Sequence, residues 1–191
     1  MAPPLKKPPM KFLSKLALVM FPFFPAYANK KFTESTYNYE LIEKFLPRLA
    51  AIESSGNPNA VGDGGKSLGL YQISKEAWRD ATDYWRLNCP DYMRAFFTDE
   101  LGKNYKKECM NPDSAKWVAT YYLLYLAGRM ERANQPITMK SLYMAYNCGF
   151  SKAQSFNFDM SHFAVSDKRR AIFIRAATII DADLTTPPRK K

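Results

Sequence analysis

The sequence predicts a mainly α-helical domain with a small loop or β element set after the first helix. Three observations point there. Apolar residues recur at helical spacing, as with Leu41, Phe45, Leu49 and Ile52. Gly56, Pro58, Gly62, Gly64 and Gly65 break that pattern within ten positions. Asn111-Pro112-Asp113 combines a capping side chain, a proline that wastes no amide and an acid near the positive helix end. Hydrophobic residues make up 47% and charged residues 24% of 191 positions, enough for one domain with a true core. A disordered chain and a collagen-like repeat are thereby excluded, and no apolar run reaches the roughly 18 residues of a membrane span.

The elements follow in order. Tyr39 to Leu46 and Pro47 to Glu53 read as a helical stretch in which Pro47 marks a kink or a fresh first turn. Asn57 to Gly65 reads as turns or a small hairpin, and Leu68 to Ile73 as a short apolar run. Ser74 caps a helix through Trp85. The helix opened by Asn111 runs to about Met130 and is expected to bury Trp117, Tyr121, Leu124 and Leu126. Thr138 caps another that ends at Asn147-Cys148-Gly149, with Gly149 as a left-handed cap. A last helix spans Asp167 to Asp181, with Ile172, Ile174, Arg175 and Ile179 in a mixed apolar pattern.

The chain carries a net charge of +10. Lys6, Lys7, Lys11 and Lys15 precede any acid, and Arg189, Lys190 and Lys191 close the chain, leaving about +3 for the rest. The basic start, the apolar stretch Leu16 to Ala28 and its small-residue end Ala26-Tyr27-Ala28 are the three parts of a secretory signal. Translation from Met10 rather than Met1 gives a tidier one. The competing reading is an uncleaved amphipathic anchor. The expected division is therefore a signal at 1–28, a lead at 29–36, one domain at 37–182 and a basic tail at 183–191. The expected location is the periplasm or the medium, with no stable membrane span after cleavage.

Cys89 and Cys109 flank an irregular stretch and are expected to pair, leaving Cys148; three buried thiols is the other reading. The chain holds one histidine, His162, so no two-histidine metal site exists and neither metal nor cofactor is expected. A basic surface favours anionic polymers. No helix-turn-helix spacing or RNA motif accompanies it, so nucleic acid is not the expected partner.

The chemistry centres on Glu53. It closes an apolar helix just before Ser54-Ser55-Gly56, where the negative helix end and apolar surroundings both disfavour its charged form. A carboxyl kept protonated near neutral pH can give its proton to a glycosidic oxygen. Read alone, Glu53 is equally an ordinary glutamate in a last helical turn.

Three motifs surround it: Glu53-Ser54, Gly69-Leu70-Tyr71-Gln72 and Ala145-Tyr146-Asn147-Cys148-Gly149, spanning about 97 residues. In that order they resemble the soluble lytic transglycosylases and goose-type lysozymes. The resemblance implies a lysozyme-like fold and a peptidoglycan substrate, cut at the β-1,4 bond between N-acetylmuramic acid and N-acetylglucosamine. Glu53 stands at the family's acid, and Ser54 at the residue that shapes the pocket. Gly69, Leu70 and Gln72 stand on the substrate groove, with Tyr71 replacing the usual methionine and offering a ring to stack on sugar. Tyr146 and Asn147 match residues near the acid and the sugar amides. Asp63 marks the parting of the two branches: an aspartate at this place would activate water, as in the lysozymes, where transglycosylases usually carry serine. Ser74 replaces a further aspartate of the lysozyme branch, which favours a transglycosylase with a 1,6-anhydro product.

Two rival classes remain. One is a cysteine peptidase or amidase built on Cys148 and His162. The other is a non-catalytic wall-binding or assembly component, and retention of Glu53, Gln72 and Tyr146 together argues against it. Secretion, conjugation, pilus and phage machines all use exported domains of this kind, so such machinery is a further partner class.

Overall fold

The computed structural model describes residues 33–88, 104–162 and 169–182, with side chains from Asn38. The chain divides into two compact units, Met1–Tyr37 and Asn38–Lys191; the elements below build the second. Helix α1 covers Thr33–Ser54 and passes through Pro47 without ending. Ile42, Phe45, Leu46, Leu49 and Ile52 are buried on both sides of the proline. At about 1.5–3 kcal/mol each, that burial outweighs the roughly 3 kcal/mol cost of an interior proline. The helix stops where Ser55 (φ 55°) and Gly56 (φ 80°) turn left-handed and the Gly56 amide donates back to the Ala50 carbonyl at 3.1 Å.

The glycine-rich stretch is a hairpin sheet. Strands β1 (Val61–Gly62), β2 (Ser67–Leu68) and β3 (Ile73–Ser74) are antiparallel in that order, pairing Val61 with Leu68 and Leu68 with Ile73. A 3₁₀ turn, Asp63–Gly65, joins the first two. Helix α2 (Lys75–Asn88) then starts where Ser74 Oγ accepts from the Ala77 amide at 3.1 Å, the cap expected, and runs one turn beyond Trp85.

Helix α3 (Tyr105–Cys109) leads into α4 (Pro112–Arg132), whose first amides, Asp113 and Ser114, are held by the Asn111 side chain. Helix α4 is the hub against which α2, α3 and α5 (Met139–Cys148) pack. Its buried face is not the expected aromatic one. Ala115, Val118, Ala119, Leu123, Leu126, Ala127 and Met130 point inward, while Trp117, Tyr121 and Leu124 are half-buried at its flank. Small residues let helices approach closely, and the larger rings fit only at the edge, where Trp117 meets Trp85 and Tyr121. Thr138 forms a capping box with Ser141 at the start of α5. Gly149 ends it with φ 84° but an extended ψ of 149°, so it turns the chain directly into α6 (Phe150–Ser155) rather than forming a left-handed cap.

Helix α7 covers Arg169–Asp181. Phe173, Ala176 and Ile180 are its buried face, whereas Ile172 and Ile174 are 44% and 59% exposed. Phe173 decides the orientation by packing edge-on against Tyr143, with ring centroids 5.7 Å apart. Cys109 is a buried thiol outside any disulfide, its proton held by burial up to about pKa 12. The partner expected for it, Cys89, lies outside the described residues, as do the signal segment and the basic tail.

Candidate active site

The last turn of α1, the hairpin and the C-terminal half of α5 meet around Glu53. Ser54, next in the chain, ties two of these together: its hydroxyl donates to the Leu70 carbonyl at 2.7 Å and to the Ala50 carbonyl at 3.1 Å. The hairpin is held by its own loop. The Gly69 amide donates to the Ala60 carbonyl at 2.8 Å, and the Gln72 side-chain amide donates to the carbonyls of Ala60 (3.1 Å) and Gly69 (2.9 Å). A side chain at Gly62 would occupy the place of Gln72 Oε1, and one at Gly69 would occupy the Cys109 carbonyl. The Gly-Leu-x-Gln sequence is thus a structural clasp: its glycine admits α3 and its glutamine staples the loop.

Tyr71 departs from the expectation drawn for it. Only 4% of it is exposed, so its ring belongs to the core and is not presented for stacking on a sugar. Burial raises its phenol to about pKa 12. What Tyr71 offers the site is its carbonyl, which accepts the Tyr146 hydroxyl at 2.7 Å. That bond locks α5 to the hairpin, and the Tyr146 ring packs edge-on against Tyr122 at 5.4 Å. Trp78, Trp85 and Phe150 are likewise core residues.

The Glu53 carboxyl is raised from its ordinary 4.5 to about 7. Loss of solvent is the largest cause; hydrogen bonds from the Tyr143 and Asn147 side chains oppose it, the Asp63 carboxylate adds to it and the Arg175 cation opposes it. One carboxyl oxygen, Oε1, is buried with no hydrogen-bond partner among the described residues. Tyr143 and Asn147 stand one helical turn apart on α5, with Asn147 Nδ2 reaching the Tyr143 hydroxyl at 3.4 Å. Burial and the nearby Glu53 charge keep both Tyr143 and Tyr146 protonated far above the usual phenol range. Asp63 sits exposed in the 3₁₀ turn at φ 49°, accepting from Ser67 Oγ at 3.0 Å.

The transglycosylase SLT domain profile matches residues 30–159, about two thirds of the chain. The chain belongs to the transglycosylase SLT domain family. No curated protein and no solved structure matches it. A mostly helical domain with a small three-stranded antiparallel sheet is consistent with the lysozyme-like fold of SLT domains. Lytic transglycosylases of this family act on peptidoglycan, outside the cytoplasm. Among the described residues no helix is long and apolar enough to cross a membrane, and no three His, Cys, Asp or Glu side chains are placed to share a metal ion.

Of the residues singled out from the SLT motifs, Glu53, Asp63, Ser54, Gly69, Leu70, Gln72, Tyr146 and Asn147 gather at the junction of α1, hairpin and α5. Two further residues act on Glu53 and were not singled out. Tyr143 was legible in principle, because it lies four positions before Asn147 on the same helix face. Arg175 carried no signal: it lies on α7, beyond the SLT match. Cys148 donates its thiol proton to the Met144 carbonyl at 3.0 Å, the side-chain geometry of a helix end rather than of a nucleophile aimed at a base. The His162 side chain lies outside the described residues.

Proposed function

We propose that this protein cleaves the β-1,4 bond between N-acetylmuramic acid and N-acetylglucosamine, with Glu53 as general acid and then general base, and releases a 1,6-anhydro product. One observation carries the reading: burial at the junction of α1, hairpin and α5 raises the Glu53 carboxyl to about 7 and leaves its Oε1 with no hydrogen-bond partner among the described residues. A carboxyl of that pKa is protonated in a useful fraction at neutral pH and accepts the proton back readily. Glu53 gives its proton to the glycosidic oxygen as the C1–O bond breaks, and the acetamido oxygen of the same sugar closes on C1. The resulting carboxylate then takes the proton of the 6-hydroxyl, whose oxygen attacks C1 and displaces the acetamido oxygen, restoring the acetamide as the anhydro ring forms.

The lysozyme alternative uses Asp63 to activate water. Its support is that the Asp63 charge is felt at Glu53. Against it stand the exposure of Asp63 and its bond from Ser67. Mass spectrometry of muropeptides released from purified sacculi distinguishes the two. Anhydro-muropeptides should dominate with the wild-type protein, and the Asp63→Asn variant should form them at a rate within about threefold of wild type. Reducing-end muropeptides, lost by tenfold or more on Asp63→Asn, would establish hydrolysis instead.

The described domain fits an exported protein in which residues 1–28 act as signal and 37–182 as the catalytic domain. N-terminal sequencing of protein recovered from periplasm or medium should begin at Asn29; an intact Met1 or Met10 would count against cleavage. Secretion, conjugation, pilus and phage machines all use exported domains that cut this substrate, and they are the partner class this reading proposes.

A further inference from the structure

The site described so far is built from α1, the hairpin and α5, all within the matched SLT region. Helix α7 lies beyond it, yet it reaches the same place twice. Phe173 packs edge-on against Tyr143, whose hydroxyl bonds Glu53. Arg175, two residues on, sends Nη2 to the Ala51 carbonyl at 3.3 Å and to Ser55 Oγ at 3.1 Å. Ala51 and Ser55 bracket Glu53 by two positions on each side. The last carbonyls of a helix have no intrahelical partner and carry the negative end of the macrodipole. Gly56 satisfies the Ala50 carbonyl and Asn57 that of Ser54; Arg175 takes the Ala51 carbonyl with a full positive charge.

We propose that Arg175 is a positioning residue for the catalytic carboxyl: it clamps the end of α1 and holds a positive charge near Glu53 from a helix outside the SLT match. The inference rests on Glu53 being the acid. The groups that face Glu53 are Asp63 from the 3₁₀ turn, Tyr143, Tyr146 and Asn147 from α5, and Arg175 from α7. Arg175 is the cation among these described groups, and its charge opposes that of Asp63. Without it, desolvation and Asp63 act against only the two hydrogen bonds, and the carboxyl holds its proton to higher pH.

The test is the pH profile of muropeptide release by the full chain carrying Arg175→Gln or Arg175→Lys. Glutamine keeps donors for Ala51 and Ser55 but no charge; lysine keeps the charge. A general acid loses activity as pH rises through its pKa, so wild type should show an alkaline limb near pH 7. Arg175→Gln should move that limb upward by about half a pH unit, a modest shift because the guanidinium is exposed to screening solvent. Arg175→Lys should leave it within about 0.2 units of wild type. Circular dichroism melting confirms that both variants are folded. Coinciding limbs for Arg175→Gln and wild type, or an equal shift in Arg175→Lys, would overturn the role of Arg175. Both outcomes leave Glu53 untouched as the acid, which is tested separately by its own substitution.

Discussion

Replacing Glu53 by glutamine should lower release of muropeptides from sacculi by about 100-fold or more while leaving the fold intact. Glutamine keeps the shape of the side chain and its bonds with Tyr143 and Asn147 but has no acidic proton to give. The same change should stabilise the protein at neutral and alkaline pH. Folding raises the Glu53 carboxyl from 4.5 to about 7, so the folded state binds a proton that the unfolded state has released. The stability associated with Glu53 is therefore fully present below about pH 4.5 and is lost as pH rises through 7. At pH 8 Glu53→Gln should unfold at a higher temperature than wild type, by an amount worth about 1–3 kcal/mol; at pH 4 the two should coincide. Wild-type activity in the variant would remove Glu53 from the mechanism. Lost activity without the pH-dependent gain in stability would mean that the carboxyl is solvated and its proton unexceptional.

The second large effect is structural and concerns Gly69. Its φ of 76° disfavours any side chain, and an added Cβ would overlap the Cys109 carbonyl. Backbone against backbone leaves no flexible end to move aside. Gly69→Ala should cost about 3–5 kcal/mol: roughly 1–2 from the left-handed backbone and the remainder from forcing α3 off the hairpin. Gly64→Ala is the control. Its φ is 64°, but nothing lies within 4 Å of the added atom, so only the backbone cost of about 1 kcal/mol applies. Urea denaturation of the two variants separates the effects. Equal losses would show that α3 yields and that the clasp between Gly69 and Cys109 does not hold the hairpin. The damage should also reach activity, because the Gly69 carbonyl and amide are what the Gln72 staple and Ala60 bind.

Local rules account for much of the fold. Ser74, Asn111 and Thr138 cap helices as their side chains require, because a cap is an interaction over three residues and depends little on anything distant. The clustered glycines between Gly56 and Gly65 read as turns or a small hairpin, and they form the turn after α1, strand β1 and the 3₁₀ turn of the hairpin. The site motifs were also legible, since Glu53, Gln72, Tyr146 and Asn147 recur with recognisable neighbours. The faces of α4 and α7 were not. Hydrophobicity alone points Trp117, Tyr121, Ile172 and Ile174 inward, yet Ala115, Ala119, Phe173 and Ala176 are the residues buried, because the choice depends on which partner helix arrives and how closely it packs.

The surroundings of three residues depend on that same level. Tyr71 reads as a sugar platform, but the core closes over its ring. Gln72 reads as a groove residue, and in the fold its amide also binds the Ala60 and Gly69 carbonyls. Arg175 has no motif at all, and its place beside Ala51 and Ser55 depends on Phe173 seating α7 against Tyr143. The sequence by itself determined the capped helix starts at Ser74, Asn111 and Thr138, the glycine-rich break after the first helix and the identity of a carboxyl at a helix end. All of these follow from interactions between near neighbours, whereas the short helices α3 and α6 carried no such signal. Only the tertiary structure decided that this carboxyl loses its solvent, and which phenol, amide and guanidinium surround it. Desolvation is a property of everything packed within several ångströms, and Asn147 and Arg175 come to Glu53 from about 90 and 120 positions away.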